Sequence, residues 1–209
     1  MTEPSGHGAG PYAGPGADTE RRAATTRVFI ALAPPDEAKD ELARALAPAC
    51  AAYPNMRWNR IEDWHITLAF LGELPTAAVP SLRPPLAELA AARPPLELSL
   101  RGSGHFDDRV LWSGVDGDLD GLRLLAAEVR AAVEDGGVPY AGRPMRPHLT
   151  LARARRADTA AVPDAAAGLA AFTGGTWRAA RLHLVGSDFG RGPGPIRYGD
   201  IASWPFEGA

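Results

Sequence analysis

Cysteine is almost missing from this chain of 209 residues: Cys50 is the only one. One thiol excludes an internal disulfide and any Cys-rich zinc or iron–sulfur site. Lysine is equally scarce, with Lys39 alone. No stretch approaches the roughly 18–20 apolar residues that span a bilayer as a helix, so no membrane association is expected. A basic start followed by an apolar run, the pattern of a secretory signal, is also absent. With the lone cysteine, this makes the cytoplasm the expected location. Positive charge is not in excess: the formal net charge is −3, which argues against a protein that coats nucleic acid nonspecifically. Gly186–Gly194 lacks the spacing and trailing Lys of a phosphate-binding P-loop. No Gly-x-Ser-x-Gly nucleophile signature occurs.

What the chain does contain is one pattern written twice, His65-Ile66-Thr67-Leu68 and His148-Leu149-Thr150-Leu151. Each copy alternates polar and apolar residues, the period of a half-buried strand. On such strands His65 and Thr67 share one face, while Ile66, Leu68 and Phe70 take the other. His148 and Thr150 repeat the geometry. Two strands of this kind can build one site from two imidazoles and two hydroxyls. Acid–base chemistry near neutral pH needs such a couple, one ring entering neutral and the other protonated. Facing a phosphodiester, one imidazole can take a proton from water and the other can protonate the departing oxygen. The threonine hydroxyls can donate to the non-bridging oxygens as charge builds there, and an arginine would hold the same oxygens more strongly. Two histidines with no nearby cysteine and no fixed carboxylate spacing make a poor zinc set, so no metal and no cofactor are expected. His105 and His183 read as structural; His183 alternates with Leu182 and Leu184 and lies on its strand's polar face.

The repeat extends beyond the motif. A strand, Arg27–Leu32, and a helix, Asp36 to about Cys50, precede the first histidine strand. A second strand, Arg109–Gly114, and a helix, Leu119 to about Glu134, precede the other. Val28 and His65 lie 37 positions apart, and Val110 and His148 lie 38 apart. Each histidine strand then leads into an Ala-rich helical segment, Thr76–Ala92 and Thr159–Ala171. Each segment reaches a strand ending in Gly-Ser, Leu96–Leu100 and Arg181–Val185. Gly72 is expected to end the first histidine strand, and Asp116–Asp120 reads as a turn. A last strand is expected over Ile196–Ala202. Met1 to about Thr25 is Gly/Pro/Ser/Ala-rich without apolar periodicity and reads as a disordered tail, leaving residues 26–206 as a single bilobal domain. Several strands are separated only by turns, which favours an α+β fold with antiparallel sheets. From Ala141 to Ala209 nine arginines face five acids. That excess suits phosphate, because the guanidinium is planar and always charged.

The two motifs with their flanks, His65–Gly72 and Arg146–Arg153, resemble the two-histidine phosphoesterases. The resemblance is to their bacterial RNA 2′,3′-cyclic phosphodiesterase branch, historically called 2′-5′ RNA ligases. The strands Arg27–Leu32 and Arg109–Gly114 and the ending Arg197-Tyr198 to Trp204-Pro205-Phe206 share it. It implies two pseudo-symmetric lobes with antiparallel sheets lining a central cleft and helices on the outside. It also implies hydrolysis of RNA 2′,3′-cyclic phosphate ends to 2′-phosphates without a metal. His65 would be the general acid and His148 the general base, with Thr67 and Thr150 on phosphate oxygens. Arg153 matches an arginine that contacts the phosphate, and Phe29 an aromatic near the base. Strict alternation would turn Arg153 away from His148 unless a bulge redirects it; Arg146 is the substitute. RNA ends or cyclic-phosphate nucleotides are the expected partners of a monomer with no obligatory protein partner. The alternatives are a nucleotide- or RNA-binding module, or a phosphodiesterase or ligase for another 2′-5′ or cyclic nucleotide.

Overall fold

The computed structural model describes residues 24–140, 142, 145–155, 160–187 and 198–208. Thr25–Leu32 forms β1, Asp36–Ala52 α1, Arg57–Trp58 β2 and Ile66–Pro75 β3. Arg83–Ala92 forms α2, Leu96–Phe106 β4, Val110–Gly117 β5 and Leu119–Asp135 α3. His148–Arg153 forms β6, Ala161–Leu169 α4, Trp177–Ala179 β7, Arg181–Ser187 β8 and Tyr198–Pro205 β9. This is the expected α+β alternation. The expected tail lies outside the described residues except for its last two, and Thr25 already belongs to β1.

The strands join in one nine-stranded sheet, ordered β7-β4-β5-β6-β3-β1-β8-β9, with β2 beside β6. Every pairing is antiparallel. The order is palindromic about the β6–β3 junction. β5 mirrors β1, β4 mirrors β8, and α3 mirrors α1. The repeated halves do not stay apart: β4 of the first half pairs with β5 of the second, and β8 of the second pairs with β1 of the first. The two lobes therefore share a continuous backbone ladder instead of packing as separate sheets.

Alternation decides which face is which. Val28, Ile30 and Leu32 of β1 are buried in the main core. So are Leu42 and Leu46 of α1, and Leu122, Leu125, Ala126, Val129, Ala132 and Val133 of α3. Burying a Leu or Ile side chain contributes about 1.5–3 kcal/mol, so the helices close one face of the sheet firmly. Phe29, Ala31 and Val185 form a separate small cluster; by the same alternation they lie on the opposite face, which carries the polar residues of the two motifs. No helix among the described residues is long and apolar enough to cross a membrane.

Three local expectations change. Gly72 does not end its strand. β3 runs on to Pro75, with Val28 paired to Gly72 and Phe29 to Phe70, so Leu71 is extra and Gly72 takes φ +71° at the bulge. β4 passes Gly102 in the same way, at φ +59°. Asp116–Asp120 is not a free turn: β5 reaches Gly117, and the Asp118 carboxylate accepts the Gly121 N–H at 2.8 Å as the α3 cap. The last strand begins at Tyr198 and extends to Pro205; Ile196 and Arg197 lie outside the described residues.

Candidate active site

The sheet junction sets the geometry of the repeated motif. Ile66 of β3 pairs with Leu149 of β6, and both side chains are fully buried. One step along this antiparallel register sets Thr67 opposite His148, and one step the other way sets His65 opposite Thr150. Directly opposed residues hold their Cβ atoms about 4.5–5.5 Å apart and diagonal ones about 7–8 Å. The two imidazoles thus occupy one diagonal of a four-residue patch, and the two hydroxyls occupy the other. A pseudo-twofold axis passes through the apolar pair beneath.

Both rings are anchored alike. His65 Nδ1 lies 2.7 Å from the Asp63 carbonyl oxygen, and His148 Nδ1 lies 2.7 Å from the Arg146 carbonyl oxygen. A carbonyl only accepts, so each Nδ1 carries the hydrogen and donates it. Each Nε2 is left to act, as a lone pair on the neutral ring or as N–H on the imidazolium. His65 also stacks on Phe29, centroids 4.5 Å apart and planes at 26°. Phe106 meets His148 edge-on at 5.0 Å.

Two bulges then reorient the strand beyond each motif. Trp112 pairs with Thr150 but Leu111 with Ala152, so Leu151 is extra. Leu151 and Ala152 are consecutive and both fully buried. The parity of the strand flips there, and Arg153 returns to the face of His148 and Thr150. The same event occurs in β3. Ala31 pairs with Thr67 but Ile30 with Ala69, so Leu68 is extra. Phe70 therefore lies on the histidine face, 52% exposed, and not on the core face that unbroken alternation predicted. Phe70 and Arg153 are twofold mates, one apolar and one cationic. Arg146 is exposed at the rim with its guanidinium 5.9 Å from the Phe106 ring centroid.

Burial first, and neighbouring positive charge after it, disfavour protonation of both rings. Burial, foremost, and then the neighbouring His148 and Lys39 hold the His65 pKa below the ordinary value of 6.5. A hydrogen bond to the Asp63 carbonyl opposes this. His148 is also held below 6.5, first by burial and then by the Arg153 cation. An anion placed between the rings would reverse both trends.

A cavity flanks each histidine. One of about 290 Å³ lies against His65, Phe29, Ala31, Tyr198, His183 and Asp200. Another of about 370 Å³ lies against His148, Phe106, Trp112, Arg123, Met145 and Arg146. His183 was expected to be structural, yet it lines the first cavity. Tyr198, Asp200 and Phe106 were not singled out from the sequence. Alternation did place His183 on a polar face; only the packing of the helices reveals that this face is the open one. His105 keeps to the periphery, its Nδ1 2.9 Å from Asp108. Among the described residues no group of three or more His, Cys, Asp or Glu could hold a metal ion.

A pseudo-twofold antiparallel sheet that presents one His/Thr pair from each half defines the two-histidine phosphoesterase class. Comparison with known proteins agrees. A model of the 2′-5′ RNA ligase superfamily matches residues 34–191. An RNA 2′,3′-cyclic phosphodiesterase of Geobacillus stearothermophilus is 32% identical over 185 residues, 87% of this chain but only 57% of the relative. The chain thus spans little more than half of that protein. A protein of the same description from Escherichia coli K12 is 30% identical over 188 residues, 85% of this chain and 95% of the relative. A crystal structure from Thermus thermophilus superposes with a TM-score of 0.70 at 27% identity, covering 87% of this chain and 98% of the other. The chain belongs to the 2′-5′ RNA ligase superfamily.

Proposed function

We propose that this protein hydrolyses 2′,3′-cyclic phosphates at RNA ends to 2′-phosphates, with the two imidazoles as its acid–base couple. The observation that carries the reading is the diagonal pair of rings, each with Nδ1 engaged and Nε2 presented. The phosphate sits between them. His148 Nε2 takes a proton from water as the water oxygen bonds to phosphorus. The P–O3′ bond breaks on the opposite side, and His65 Nε2–H delivers its proton to O3′. Thr67 and Thr150 donate to the non-bridging oxygens, and Arg153, brought round by the β6 bulge, neutralises the charge that grows on them. Phe29 supports the His65 ring from below and borders the cavity where the terminal nucleoside lies. Arg146 stands at the rim on the water side. The descriptions of the Geobacillus and E. coli relatives support the substrate class.

Each half of the sheet supplies one histidine, so a single chain, residues 26–206, completes the site without a second copy. We place it in the cytoplasm, where RNA ends are processed. The test is direct: purified protein is incubated with a nucleoside 2′,3′-cyclic phosphate in excess EDTA. The expected product is the 2′-monophosphate at an undiminished rate. Nucleotide binding without turnover would favour a binding module, and loss of activity on chelation would refute the metal-free mechanism.

A further inference from the structure

The cavity beside His65 contains a second imidazole that the proposed chemistry does not use. His183 Nδ1 lies 2.9 Å from Asp200 Oδ2. A carboxylate accepts and does not donate, so Nδ1 carries the hydrogen and Nε2 of the neutral ring is an acceptor. In the sheet, Thr67 pairs with Ala31, and Ala31 pairs with His183. Strands lie about 4.8 Å apart, so His183 stands about 10 Å from Thr67 across that row. The residue between them contributes only a methyl group, which leaves room above it. Phe29 and Tyr198 form an aromatic corner beside this row, centroids 5.4 Å apart and nearly perpendicular. The other side chains of the lining with polar atoms, besides His65, are Glu62, Asp63, Asp200, the Tyr198 hydroxyl and the Trp64 indole, and among the described residues the lining holds no Lys or Arg. Glu62 and Asp63 stand at the His65 end, so at the other end the acceptors are the His183 Nε2 and the Asp200 carboxylate, beside the Tyr198 hydroxyl.

We propose that His183 and Asp200 read the terminal nucleobase and select one that carries an exocyclic amino group, cytosine or adenine, over uracil. The inference rests on the function proposed above, which places the phosphate at Thr67 and the nucleoside in this cavity. A cytosine 4-amino group donates to the His183 Nε2 or to the Asp200 carboxylate. Uracil sets its O4 acceptor against these two acceptors, and the part-buried His183 Nε2 then loses water without gaining a partner. A site that hydrogen-bonds a substrate N–H rejects the analogue that lacks it far better than an apolar pocket rejects a missing methylene. Cytosine and uracil have nearly the same shape, so their comparison isolates this contact.

The experiment compares cytidine and uridine 2′,3′-cyclic phosphates by kcat/KM at pH 8. In parallel, 2′-CMP and 2′-UMP are titrated calorimetrically. The expected preference for cytosine is about tenfold or more in both measurements, roughly the worth of one well-made hydrogen bond to a part-buried acceptor. His183→Leu brings the ratio to near one, while His183→Gln, which keeps an acceptor, restores part of it. Thermal unfolding confirms that each variant is folded. A wild-type ratio within about twofold of unity, or a ratio that survives His183→Leu, overturns the inference. If neither cyclic nucleotide is hydrolysed but 2′-CMP still binds tighter than 2′-UMP through His183, the hydrolytic reading fails and the base-reading wall stands.

Discussion

Replacing Arg153 with Ala separates the two arginines that flank the second motif. Arg153 is exposed, and its backbone is held by Val110 on one side and Arg57 on the other. Truncation therefore removes a charged side chain without touching the core, and stability should change by no more than about 0.5 kcal/mol. A hydrogen bond to a charged group is worth about 1.5–3 kcal/mol. By the tenfold per 1.36 kcal/mol rule, kcat/KM should fall roughly 10- to 150-fold. Lysine at 153 keeps the charge but loses the fork, so Arg153→Lys should fall between wild type and Ala. The pH dependence gives a second readout. The Arg153 cation helps to hold His148 below 6.5, after burial. Without it the imidazole is protonated at higher pH. A base must be neutral, so the low-pH limb of kcat/KM moves up. Arg146 faces the Phe106 ring instead, and Arg146→Ala should cost less than Arg153→Ala. The assay is steady-state hydrolysis of a 2′,3′-cyclic nucleotide from pH 5 to 9. If Arg153→Ala stays within twofold of wild type while Arg146→Ala loses tenfold, the bulge has not delivered the phosphate ligand.

His65→Ala and His148→Ala should each lower kcat by roughly 10²–10⁴-fold. The double variant should lose far less than the product of the two, since both act in one transition state; an unfolded single variant by circular dichroism would contradict this reading. The wild-type kcat/KM profile should be a bell with both limbs on the acid side of an unperturbed histidine pair, because both pKa values are lowered. Bound phosphate favours both imidazolium forms, so the kcat profile should lie at higher pH than that of kcat/KM; coincident profiles would count against an anion between the rings. Folding stability should also respond to acid. Unfolded histidines titrate near 6.5 and the folded pair titrates lower, so the unfolded chain binds more protons in that window. This contribution is fully present above 6.5 and is lost as pH falls through the folded values. The urea midpoint should drop more between pH 7 and 5 for wild type than for His65→Ala/His148→Ala, and equal drops would refute the linkage.

The duplicated His-x-Thr-x pattern, its matched spacing, and the order of the longer strands and helices were legible in the sequence; the short strands β2 and β7 were not. Period-two alternation is a local property: it puts His65 with Thr67 and His148 with Thr150 whatever lies beside them. The apolar stripe Leu122, Leu125, Ala126 and Val129 likewise needs only the helical repeat, and it is buried. Extending alternation past the motif failed for Phe70, and it would have failed for Arg153. A bulge exists only relative to a partner strand. The extra residues Leu68 and Leu151 become visible only when β1 and β5 are laid beside them. The surroundings of His183 were illegible for a related reason. Its strand has a polar face by sequence, but the helices covering the other side make that face a cavity wall.

The linear chain thus settled the chemical groups and their pairing along each strand, since these depend on neighbours two to four residues away. Tertiary structure alone settled the register that sets Thr67 against His148, the exchange of β4 and β8 between the halves, and which arginine returns to the histidine face. Those outcomes depend on hydrogen-bond partners far along the chain, and no local periodicity encodes them.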